Sequence, residues 1–141
     1  MSTRFPLERL IAAVNWAFAV CLSVPCAVTL YLIRTGQFVA NWVANINAFA
    51  WWQELGILLA LVCIVNGFAL YRTYRWAHWV DTLLLPAKAY CAYLFLWNYA
   101  MSGSVLAISV PLLVSINMVL LAQLWSRNFR IRSNTKPWSA R

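Results

Sequence analysis

Four long apolar stretches follow one another along the chain, Leu10 to Ile33, Leu55 to Tyr71, Leu83 to Met101 and Ser104 to Trp125, separated by more polar connections. A helix rises 1.5 Å per residue, so even the second stretch, with 17 residues, reaches roughly 25 Å and meets the short end of what a bilayer core requires. The pattern predicts an all-α, polytopic membrane protein with four transmembrane helices in one domain, spanning about 10–33, 55–71, 83–101 and 104–125, with a basic tail over 126–141. The first stretch exceeds a signal-peptide core of roughly 7 to 15 residues and lacks a clear A-x-A cleavage site, so it is expected to stay as a helix. Only Ser102 and Gly103 separate the last two stretches, which predicts an antiparallel hairpin.

Small residues mark the expected contact faces. Gly56, Ala60, Cys63 and Gly67 recur at spacings of four, three and four, which puts them on one side of the second helix, where a neighbour can approach closely. Ala13, Ala17 and Cys21 form a comparable stripe on the first helix and are expected to face it.

The connection from Arg34 to Glu54 is too polar to span, yet Phe38, Trp42, Ile46, Phe49 and Trp52 recur near helical spacing. Such a segment is expected to lie at the outer membrane surface as an interfacial amphipathic helix. Phe38, Trp42, Phe49 and Trp52 are therefore candidate contacts for lipid or a partner.

Charge then orients the chain. With the N-terminus inside, Arg4, Arg9, Arg72, Arg75, Arg127, Arg130, Arg132, Lys136 and Arg141 fall on the cytoplasmic side and Arg34 alone on the outside. This positive-inside bias predicts that both termini are cytoplasmic, in a bacterial-type inner membrane. The net charge of +8 thus reflects topology, and no nucleic-acid partner is expected. Arg127, Arg130 and Arg132 in the tail are candidate contacts for an acidic partner or phospholipid.

Candidate chemistry is sparse. Each expected span carries one asparagine, and Asn15, Asn66 and Asn117 fall in the cytoplasmic half with Lys88, forming a candidate polar layer. Amides in hydrocarbon need partners, so the layer is expected to set helix register; the sharper reading is a cavity for an anionic headgroup or ion. Lys88 is expected to snorkel its ammonium back to the interface. Glu8, Glu54 and Asp81 are expected at membrane edges. Cys21, Cys26, Cys63 and Cys91 form no C-x-x-C pair, and His78 is the only histidine, so no metal site, bis-histidine haem or other cofactor is expected. No glycine-rich phosphate loop or activated nucleophile is evident. The expectation is a non-catalytic accessory or assembly subunit of a larger membrane complex, with lipids and other membrane subunits as partners. The alternative is a small homo-oligomeric channel or transporter for an anion or lipid-like solute.

Overall fold

Four helices account for nearly all of the described residues: α1 (Leu7–Arg34), α2 (Ile46–Tyr71), α3 (Arg75–Ser102) and α4 (Ser109–Asn134). The computed structural model describes residues 6–38, 43–102 and 108–134, without the side chains of 98–102, 133 and 134. Three helices, α1, α2 and α4, are long and apolar enough to cross a membrane. α3 is as long as α1 but carries Arg75, Asp81 and Lys88 along its length and is not among them.

The helix ends follow from local chemistry. Asn45 caps α2 by accepting from the backbone N–H groups of Asn47 and Ala48 at 3.0 and 3.1 Å. α1 ends in a Schellman turn, with Gly36 at φ +69° and its N–H donating to the Ile33 carbonyl. α2 ends in the same way, but the left-handed position is held by Thr73 at φ +60°, where a β-branched residue is strained. That turn reverses the chain within Arg72, Thr73 and Tyr74 and sets α3 antiparallel to α2.

α1 packs against α2 and α4, and α3 packs against the same two helices, so the four form a ring with α1 and α3 on one diagonal. α1 and α2 are antiparallel and tied at both ends. Arg34 approaches Glu54 at 3.5 Å, and the Arg9 guanidinium sits 5.0 Å from the Tyr71 ring centre. At the α3–α4 contact, Trp79 and Trp125 meet edge to face at 4.7 Å.

Gly56, Ala60, Cys63 and Gly67 are all buried on α2, facing α1. A methyl group on Gly67 would lie 2.4 Å from Trp16 Nε1, and one on Gly56 would lie 2.8 Å from Cys26 Sγ. On α1 the contact face differs from the expected stripe. Ala13 and Ala17 are exposed, and Ala12, Asn15, Ala19, Leu22 and Cys26 are buried instead. The shift of one residue turns the face by about 100°, and it brings in the bulky Phe18 and Leu22 with the small residues.

The expected boundaries move at several helix ends. Ile46 to Glu54 runs without a break into α2, so Phe49 and Trp52 lie on its first turns; Phe49 stacks on Phe38 at 5.4 Å. Trp42 lies outside the described residues. At the other end α4 continues to Asn134, so Arg127, Arg130 and Arg132 are helical.

Candidate functional site

The buried apolar side chains form two clusters. One contains Ile11, Ala12, Val14, Ala69, Leu70, Ala77, Leu120, Leu121 and Leu124. The other contains Phe18, Ala19, Leu22, Cys26, Ala60, Cys63, Ala92, Val110 and Val114. Between them, on every helix, lies a polar residue: Asn15 falls between Val14 and Phe18, Asn66 between Cys63 and Ala69, Asp81 and Lys88 between Ala77 and Ala92, and Asn117 between Val114 and Leu120. A polar layer therefore crosses the bundle between two apolar ones.

Lys88 does not reach the interface. It is 1% exposed, and its ammonium donates to Asp81 Oδ1 at 2.5 Å and to Asn15 Oδ1 at 2.5 Å. The reason lies in helix geometry. Side chains lean toward the helix N-terminus, so the lysine stem runs back along α3 and meets Asp81, two turns earlier on the same face. Asp81, expected at a membrane edge, is instead inside α3 and fully buried. The helix begins at Arg75, eight residues before the apolar stretch that predicted it.

The amides complete the arrangement. Asn66 Nδ2 donates to Asp81 Oδ1 at 3.4 Å, and Asn15 Nδ2 donates to the Ile11 carbonyl at 3.1 Å. Asn117 is oriented by its neighbours: its oxygen accepts from Lys88 Nζ at 2.8 Å and its nitrogen donates to Asp81 Oδ2 at 3.2 Å. The opposite orientation would set oxygen against carboxylate and nitrogen against ammonium. The Phe18 ring centre lies 5.8 Å from the ammonium. The structure thus brings Asn15, Asn66, Lys88 and Asn117 together and adds Asp81.

Electrostatically the layer is neutral. Burying either charge alone would cost several kcal/mol, and their close pairing with hydrogen bonds to the remaining lone pairs is what makes burial tolerable. All three ammonium protons are used. Asn66 Oδ1 and His78 Nδ1 are buried without a hydrogen-bond partner. His78 stands one turn before Asp81.

The other singled-out residues lie elsewhere. Phe38 and Phe49 meet at the α1–α2 connection, Trp52 packs 5.8 Å from the Tyr90 ring, and Arg127, Arg130 and Arg132 are exposed near the end of α4. The four cysteines are free thiols. Among the described residues, no three of His, Cys, Asp and Glu are gathered as a metal site. Asp81 is the site residue absent from the expected layer. Its seven-residue spacing from Lys88, two helical turns, was the available signal. Comparisons with models of known protein families, with curated proteins and with solved structures find no match.

Proposed function

We propose that the chain is a non-catalytic accessory or assembly subunit of a larger complex in a bacterial-type inner membrane. In this reading all four helices span, both termini are cytoplasmic, and the aromatic residues at the start of α2 sit at the outer interface. The nine-to-one distribution of basic residues supports that orientation.

The observation that carries the subunit reading is the outer face of α3. Trp76, Trp79, Leu83, Tyr90, Tyr93 and Trp97 are all exposed and fall on one alternation of three and four residues, with exposed Pro86 completing it. That is the spacing of a helix seam. The outer faces of the other spans are largely aliphatic at mid-helix, with Val20, Val24 and Val28 on α1 and Leu58, Leu61 and Val65 on α2. Lipid tails satisfy such faces but offer nothing to a tyrosine hydroxyl, and Tyr90 stands about 22 Å along a helix about 42 Å long. A partner helix supplies both packing and acceptors.

Extraction in native lipid, followed by measurement of the particle's mass and composition, tests this. Other polypeptides in fixed ratio are expected, and Tyr90→Ala with Tyr93→Ala is expected to release them from a bundle that remains folded. A particle built only from this chain would overturn the subunit reading.

A second reading, a small homo-oligomeric channel or transporter for an anion or lipid-like solute, is favoured by the ionisable pair at the bundle centre. There, Lys88 would meet an anion only on parting from Asp81. Solute flux from vesicles containing a particle of this chain alone is its test.

A further inference from the structure

The small residues Ala13 and Ala17, expected to pack inside the bundle, lie on the outside of α1. Val20, Val24, Ala27 and Tyr31, also exposed, continue them at spacings of three, four, three and four. This is a second helix seam, with the alternation that runs from Trp76 to Trp97 on α3. From Ala13 to Ala27 it is built of small side chains, where α3 carries large ones.

We propose that the α3 seam of one copy seats on the α1 seam of a second copy, so that the chain assembles head to tail in the membrane plane. This rests on the reading that α3 spans with its aromatic face taken by a partner helix, and it names that helix. Both helices run the same way, because α2 is antiparallel to each. Both begin at the same end of the bundle, where Asn15 of α1 and Asp81 of α3 hold one ammonium between them. Counted from each helix start, the α1 seam runs from about 9 to about 36 Å and the α3 seam from about 2 to about 33 Å. Two copies in one membrane share direction and depth, so the seams meet with neither copy inverted or shifted. α1 and α3 stand on one diagonal of the ring, so the two faces point apart and one copy can use both.

Size selects the pairing. Helices associate in a bilayer through close packing and hydrogen bonds, without a hydrophobic driving force between them. Two α3 seams face to face hold their backbones apart, whereas α3 against Ala13, Ala17 and Ala27 fills the space that those residues leave. The aromatic side chains of α3 are about half exposed, and with α1 they offer about 1,200 Å² for burial. A stable interface buries about 1,200–2,000 Å². The Tyr90 hydroxyl has an acceptor at its own depth. Pro25, exposed on α1, has no N–H to give the Cys21 carbonyl, about 21 Å along that helix, and Tyr90 stands about 22 Å along α3. Such a contact is heterologous, so a row of copies keeps one open α3 seam at its end, where a different membrane subunit docks.

Cross-linking and copy number test it on the full chain. Ala17→Cys and Leu83→Cys chains, tagged differently, are placed in lipid vesicles separately and as a mixture and oxidised with copper phenanthroline, with the native chain as control for its four thiols. The mixture is expected to give disulfide-linked pairs carrying both tags, and neither variant alone is expected to exceed the native background. Particles extracted in native lipid are expected to hold two or more copies of the native chain. Ala17→Trp fills the α1 seam at an exposed position, and is expected to leave one copy per particle with thermal unfolding unchanged; Leu61→Trp on the outer face of α2 is expected to keep the native number. Should Ala17→Trp not fold, the cross-link and the native copy number decide. No mixed pairs, pairs formed as readily by one variant alone, a single native copy per particle, or a folded Ala17→Trp with the native copy number each overturn the proposal. One copy of this chain among other polypeptides upholds the subunit reading and overturns this one, and several copies of this chain alone do the reverse.

Discussion

Asp81 and Lys88 stand two helical turns apart on one face of α3, and neither charge reaches solvent. Removing one partner leaves the other buried and uncompensated, which costs about 3–5 kcal/mol in comparable pairs. Asp81→Asn and Lys88→Met are each expected to destabilise the bundle on that scale. The two together are expected to cost clearly less than the sum, because no charge is then stranded. Denaturation of the detergent-solubilised chain in choline chloride, as a double-mutant cycle, measures the coupling. A sum that is simply additive would mean that the pair contributes nothing as a pair. The three asparagines and Lys88 were legible in the sequence because each interrupts an apolar run. Asp81 was not, because it precedes the run: hydropathy opens the third stretch at Leu83, whereas the helix opens at Arg75. Hydropathy marks where lipid is tolerated, and hydrogen bonding marks where the helix begins.

At the scale of elements, the closest approach is between α1 and α2, where Trp16 Nε1 donates to the Ile64 carbonyl at 3.2 Å across the face that Gly67 leaves open. Gly67→Ala puts a methyl group against the indole ring, which must move and give up that bond. A loss of about 1–3 kcal/mol is expected, as for overpacked cores. Gly56→Ala meets only one sulfur atom, and Cys26→Ala is expected to restore most of its smaller loss; thermal unfolding of the single and double variants checks both. The α2 face was legible because its small residues stand alone among large ones. On α1, Ala12, Ala13, Ala17 and Ala19 offer small residues on both sides, and only the position of Asn15 in the polar layer decides between them.

The whole molecule is a ring of four antiparallel neighbours with an apolar cluster above and below a polar layer. Three helices apolar enough to span, and the hairpin order, follow from hydropathy and short connections. The layer is long-range, since Lys88 and Asn15 are 73 positions apart, and no local pattern reports it. Orientation belongs to this scale too. Reporter domains fused to the N-terminus and to the C-terminus are both expected to show cytoplasmic activity, and periplasmic activity at either end would reverse the positive-inside assignment.

α3 is the helix least suited to lipid on its own, and the residues that make its charges tolerable belong to the other three. During synthesis Asn15 and Asn66 leave the ribosome ahead of Asp81 and Lys88, whereas Asn117 follows them. In the proposed four-span reading, two of the three amide partners of α3 are already in the bilayer when α3 enters the translocation channel, and the third is still being made. In that reading the arrival of α4 closes the layer and commits α3 to the membrane. Nascent chains halted before α4 would hold α3 without the Asn117 amide that bridges Asp81 and Lys88.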